Sequence, residues 1–416
     1  MPHAIEQSWL LAHTCSNRPI GPARPPHMTS LHAWRRPDDF ARRRRSATVP
    51  SNRFLWIACV VSVAVVPGAV SATTCDQTSR LERPVEMGTS GGSISQVRRI
   101  PHGDSIQIAC GGGTLGALVQ DATGRQFILS NAHVIGRNNA ARPGEGIVQP
   151  GLPYVRCEKK TGDVVARFSR RMRLKFGRNG ANVADAAIAL VTPDRVSSLI
   201  RNIGGVSGVL ATPHLGLEVQ KMGATTCLTE GVVAAVGVDA EVRGYSPPGK
   251  PPRTARFSGQ IIVTTAGGVG AIGDEGDSGS VVVTTGACPQ PVALLFAGSP
   301  VATLASPLAP VLSTLGVSFV EGCSAGATSR GAPGGRDPRV TSAAISTAAA
   351  RRDAHREGLM NVPGALGTGI GLGTATDPVA IEVYVAKRTP EALAAVPASL
   401  DGVPVRVKET GPFVAW

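Results

Sequence analysis

Gly276-Asp277-Ser278-Gly279-Ser280 is the segment of this chain best suited to nucleophilic chemistry. Acyl transfer through serine needs a hydroxyl, a base to take its proton and donors for the oxyanion that forms. Glycines on both sides of Ser278 permit a tight turn in which the Gly276 and Ser278 N–H groups point to one place. Ser280-Val-Val-Val then begins a strand that would hold the turn rigid. The candidate base is His133, which follows the run Gly124-Arg-Gln-Phe-Ile-Leu-Ser-Asn-Ala, a turn and then a strand. The candidate orienting acid is Asp185, at the head of the apolar run Ala186-Ala-Ile-Ala-Leu-Val. A lone histidine or aspartate in such a setting is usually structural. The order His, Asp, Ser, with separations of 52 and 93 residues, makes chance agreement of all three much rarer.

These residues need a rigid frame. From about residue 106 to 320 short apolar runs recur between turn signals, among them Leu115-Gly-Ala-Leu-Val, Gln260-Ile-Ile-Val and Val292-Ala-Leu-Leu-Phe. The chain has 50 Gly and 32 Pro, few aromatics and no long helical periodicity. That pattern predicts a mainly β protein, an antiparallel barrel or sandwich. Residues 322–340 read as a linker rich in Gly, Ser and Ala. Residues 341–416 change character, with an Ala-rich helix over 342–360, two strands, a short helix at 390–395 and a last strand at 403–407. This is a small α+β module.

Ser130-Asn-Ala-His133, Asp185-Ala-Ala-Ile-Ala-Leu and Gly276-Asp-Ser-Gly279 resemble the histidine, aspartate and serine motifs of chymotrypsin-like (trypsin-like) serine peptidases. More narrowly, the chain resembles a bacterial group related to the protease-like domain of the plant narrow-leaf proteins. Ile147-Val-Gln-Pro-Gly151, Met222-Gly-Ala-Thr-Thr-Cys-Leu-Thr-Glu-Gly231 and Pro291-Val-Ala-Leu-Leu-Phe-Ala-Gly-Ser299 carry that likeness. The resemblance covers roughly residues 106–320 and implies a double β-barrel with its site in the cleft between barrels. It implies that His133 is general base, that Asp185 fixes its tautomer, that Ser278 attacks, and that the Gly276 and Ser278 amides form the oxyanion hole. It implies that Ala297-Gly298-Ser299 pairs with the substrate backbone and walls the specificity pocket. Ile272 stands six residues before Ser278, where an Arg/Lys-cleaving relative would carry aspartate, which favours an apolar preference. No Ile-Val-Gly-Gly sequence occurs near the expected mature start, so Asp277 must be satisfied by something other than a freed N-terminal amine. The expected function is a serine endopeptidase acting on polypeptides. A catalytically silent protease-like binding protein and an esterase using the same triad are the alternatives.

The formal charge of +13 invites a nucleic-acid partner, but +6 of it sits in residues 1–53, so no nucleic acid is expected. Phe54 to Thr74 is uncharged and follows that basic stretch, with Pro67-Gly68 near its end and Val70-Ser71-Ala72 after it. This is the layout of a secretory signal with cleavage after Ala72, and a membrane association only if the signal stays uncleaved. The localisation expected is secreted or periplasmic. Residues 73–105 read as a loose lead-in. The mature chain would hold Cys75, Cys110, Cys157, Cys227, Cys288 and Cys323, enough for one to three disulfides whose pairing stays open. No CxxC pair or histidine cluster accompanies them, so neither metal nor cofactor is expected.

Three further patterns have bland readings. Gly88-Thr-Ser90-Gly-Gly fits the G-x-S-x-G elbow but lies in the lead-in without a preceding strand. Gly367, Gly369, Gly371 and Gly373 alternate strictly, which puts them on one strand face against a helix rather than in a dinucleotide loop. Arg167, Arg170, Arg171, Arg173, Lys175 and Arg178 read as a solvated strand or loop face.

Overall fold

Six antiparallel strands close into a ring around the histidine and aspartate segments. In the computed structural model, residues 79–102, 105–177, 180–246, 251–268, 270–324 and 338–416 are described. The segment 113–120 bends at Gly116. Its first half, Gly113–Leu115, pairs with Thr89–Ser93, and its second, Ala117–Gln120, pairs with Gln126–Ser130. From there the order runs through Ala187–Val191, Val164–Arg171 and Gly146–Val148 back to Thr89–Ser93. The bend requires glycine, because a Cβ on Gly116 would lie 2.2 Å from Gly279 O. Leu115, Ile128, Val165 and Ile188 are fully buried in the same cluster.

A second closed ring carries the serine. Its strands are Glu218–Gly223, Cys227–Tyr245, Arg253–Thr264, Ala302–Pro307, Pro291–Ser299 and Val281–Thr284, each antiparallel to the next. Ring closure leaves one edge of Cys227–Tyr245 beyond Val232 and one of Pro291–Ser299 beyond Leu294 for other strands. Val219, Val233, Ile261, Val263, Val282 and Leu295 are buried in its core. The two closed six-stranded rings are the double antiparallel barrel expected from the sequence. Helix Leu308–Leu315 follows, ending at Gly316 in the left-handed region (φ 60°).

The α+β elements after residue 340 come in the expected order, helices Ser342–Ala354 and Arg356–Met360, strands Ala365–Leu372 and Val379–Val385, helix Pro390–Ala395 and strand Val403–Glu409. They extend the second sheet, because Ala365–Leu372 is antiparallel to the middle of the 19-residue strand Cys227–Tyr245. The last strand, Phe413–Ala415, lies between Cys227–Tyr245 and Pro291–Ser299 and pairs with both.

Several local expectations change. Residues 85–93 were expected to be loose from their polar, glycine-containing composition, yet Val85–Met87 and Thr89–Ser93 are strands. Glycines there allow close strand approach, since a Cβ on Gly91 would meet Leu115 at 2.5 Å. Ser90 is buried in that strand and its Oγ accepts from Gly151 N–H, so the elbow reading fails. The alternating glycines face strand neighbours rather than a helix. A Cβ on Gly369 would lie 2.6 Å from the Tyr384 hydroxyl and one on Gly371 2.0 Å from Glu382. The basic stretch is not merely solvated, because Arg170 donates to Leu315 O and Arg171 to Ala141 O and Asn139 O. Among the described residues, disulfides join Cys110 to Cys157 and Cys288 to Cys323, and Cys227 is disulfide-bonded as well. The basic extension, the apolar signal segment, Ala72, Cys75, Arg178 and most of the linker lie outside the described residues.

Candidate active site

The end of strand Gln126–Ser130 and the start of Ala187–Val191 lie side by side, with Ala187 opposite Ser130. That register brings Asp185 beneath the turn that carries His133. Asp185 is fully buried and accepts the Ala132 and His133 backbone N–H groups on Oδ1, at 2.6 and 3.1 Å. Its Oδ2 lies 2.6 Å from His133 Nδ1, and Asn131 Nδ2 donates to the Asp185 carbonyl at 2.6 Å. The carboxylate is thus pinned by backbone donors, and it fixes the imidazole in turn.

On its other side, His133 Nε2 lies 2.7 Å from the carbonyl oxygen of Trp416. A carboxylate and a carbonyl both accept, so both ring nitrogens donate and the arrangement suits an imidazolium. Burial by itself pushes the His133 pKa down. The charge and hydrogen bond of Asp185, with the Trp416 carbonyl, outweigh it and leave the pKa above its ordinary value. Tyr245 stands edge-on to the imidazole at 5.8 Å between ring centroids. Burial, with Asp185 nearby, raises its phenol well above the usual range.

Ser278 sits in a turn clamped to the first barrel. Thr114 N–H donates to Ser278 O at 2.8 Å and Thr114 Oγ1 to Gly276 O at 3.0 Å. A Cβ on Gly113 would lie 2.7 Å from Ser278 O and 2.6 Å from Val134, next to His133, so the turn and the histidine segment are close neighbours. Both flanking glycines are required. Gly276 (φ 100°) and Gly279 (φ 97°) are in the region that favours glycine, and a Cβ on Gly279 would meet Thr114 O at 2.2 Å. The Asp277, Gly279 and Ser280 N–H groups donate to Asp274 O, Leu295 O and Asp277 O. The Gly276 and Ser278 N–H groups make no such bond among the described residues. Two neighbouring unpaired donors on a rigid turn can receive an oxyanion. The Ser278 hydroxyl itself donates to Phe296 O at 3.0 Å.

Asp277 answers the question posed by the missing activation sequence. Its buried carboxylate lies 3.2 Å from Lys221 Nζ, also fully buried, and accepts from Thr225 N–H, Thr226 N–H, Thr226 Oγ1 and Asp274 N–H. Lys221 also donates to Thr226 Oγ1 and Cys227 O. Burial lowers the Lys221 pKa, and Asp277 opposes that shift. The turn therefore has an internal cation in place of a freed amine. Sequence reasoning missed Lys221; its signal was a lysine between apolar positions in Val219-Gln-Lys-Met222.

Ala297, Gly298 and Ser299 end the strand beside the serine turn and are buried. Ala297 and Gly298 pair with Ala415 and Val414 of the final strand. A Cβ on Gly298 would lie 2.2 Å from the Trp416 indole, and one on Gly273 3.0 Å from it. Ile272 is buried in the cluster against which Trp416 packs. The sequence-predicted residues thus gather around one place, and the chain's own residues 413–416 lie in it. That occupation had no signal in the sequence.

No family model matches the chain, and no curated protein matches it. The chain is similar to several solved serine protease structures. One is described as a glutamic acid specific serine protease that uses a novel histidine triad in substrate binding, 16% identical over 57% of this chain and 100% of that one, TM-score 0.37. A Nocardiopsis protease is 17% identical over 50% and 93% of the two chains, TM-score 0.34. Thermobifida fusca protease A is 18% identical over 54% and 97%, TM-score 0.35.

Proposed function

We propose that the protein is an exported serine endopeptidase of the chymotrypsin-like kind, in the bacterial group related to the plant narrow-leaf proteins. What supports this reading is the closeness of the His133–Asp185 pair to the Ser278 turn and its two unpaired backbone donors. Ser278 Oγ rotates from Phe296 O toward His133 Nε2 and attacks the scissile carbonyl, while Nε2 takes its proton. Asp185 stabilises the imidazolium, and the Gly276 and Ser278 N–H groups hold the oxyanion. Collapse of the tetrahedral intermediate passes the Nε2 proton to the leaving amine and leaves an acyl-Ser278 ester. Water, deprotonated by His133, then releases the acid and restores Ser278. The Cys110–Cys157 and Cys288–Cys323 disulfides favour an oxidising compartment.

Peptide hydrolysis tests this reading. Ser278→Ala should lower turnover by a factor on the order of 10⁶, and Asp185→Ala by about 10⁴. Turnover unchanged in Ser278→Ala would overturn it. Cleavage of esters without peptides would favour the esterase, and no turnover of either class the silent binding protein.

A further inference from the structure

We infer that Phe413-Val414-Ala415-Trp416 occupies the candidate cleft as a substrate-like strand in cis, and that the cleft takes polypeptides with a tryptophan or similar large aromatic residue just before the reacting carbonyl. The inference deepens the peptidase reading and rests on it. Three independent features locate the segment. Its backbone is antiparallel to Pro291–Ser299, with Ala415 opposite Ala297 and Val414 opposite Gly298. The Trp416 backbone oxygen lies 2.7 Å from His133 Nε2, which sets the end of the segment beside the proposed general base. Its indole fills a slot between the backbones of Gly273 and Gly298, both of which lack the Cβ that would close it.

The slot's chemistry sets the preference. Trp416 packs against the apolar cluster of Ile272, Leu295 and their neighbours. Asp277 Oδ2 lies 3.4 Å from the position of a Gly273 Cβ and is paired with Lys221, while Asp274 and Glu275, which follow Gly273, are exposed. Against that apolar wall the burial of a lysine, arginine or glutamate side chain would be costly. Phe413 anchors the other end, fully buried and edge-on to Tyr384 at 6.2 Å between centroids. Val414 lies over Gly244, whose added Cβ would meet it at 2.8 Å. With the segment in place His133 is 8% exposed and Ser278 not at all, so a substrate must displace it.

Titration calorimetry with acetyl-Phe-Val-Ala-Trp tests binding without relying on turnover. It is run on the protein, on a variant lacking residues 413–416, and on Trp416→Gly, which keeps the strand should the deletion fail to fold. The peptide should bind both variants at least tenfold more tightly than it binds the protein. On the variants, its counterparts ending in Asp, Arg or Ala should bind at least tenfold more weakly. Gly298→Val, added to Trp416→Gly, should abolish the binding. Equal affinity for the four peptides, or equal affinity of the protein and both variants, would overturn the inference. Fluorophosphonate labelling of Trp416→Gly reads the peptidase proposal separately. A variant that binds the tryptophan peptide but is not labelled keeps this inference and loses that reaction. One that is labelled but shows no aromatic preference does the reverse.

Discussion

His133 has an acceptor on each ring nitrogen, Asp185 on one side and the Trp416 carbonyl on the other. The proposed reaction needs Nε2 free of its proton, so the groups that hold His133 protonated should set its lower pH limit. Burial opposes the charge, but Asp185 and the Trp416 carbonyl leave the pKa raised above 6.5; Tyr245 faces the ring as a neutral phenol. The imidazolium loses its proton as pH rises through the raised value, so kcat/KM should climb on a limb centred above pH 6.5. Asp185→Asn removes the stabilising charge, so the limb should move to lower pH while kcat falls by about 10⁴. A pH–rate profile checks both shifts. Lys221 gives a second residue-scale expectation. Lys221→Met strands a buried carboxylate and should cost about 3–5 kcal/mol in urea unfolding. Adding Asp277→Asn should restore much of that loss.

At the scale of elements, close approach decides more than propensity. A Cβ on Gly371 would lie 2.0 Å from Glu382, which is buried and bridged to Lys408 at 2.6 Å. Gly371→Ala should therefore cost about 1–3 kcal/mol. Gly162→Ala, with nothing within 4 Å of its added Cβ, should stay within about 0.5 kcal/mol. Paired denaturation curves measure the contrast. The same close approaches explain what the sequence made legible. The Gly276–Gly279 turn, the strand before His133 and the apolar run after Asp185 announce their geometry locally, through glycines and short hydrophobic runs. Lys221 does not, because its partner Asp277 is 56 residues away and only ring closure brings them together. Residues 85–93 look loose for a related reason. Their glycines suit a strand only when Leu115 stands against them. Trp416 was beyond reach altogether, since 283 residues separate it from His133.

At the scale of the molecule, the first barrel holds His133 and Asp185, the second holds Ser278, and Thr114 fastens the two at the serine turn. The C-terminal elements continue the second sheet and return the chain to the junction through Phe413–Ala415. A machine assembled from both barrels should make one serine reactive and leave the others inert. The most direct measurement is mass-mapped fluorophosphonate modification of the folded protein and of Trp416→Gly. The account predicts a single adduct on Ser278, formed faster in Trp416→Gly, absent in Ser278→Ala and strongly reduced in His133→Ala. An adduct on another serine, or a folded Trp416→Gly protein that stays unmodified, would contradict it.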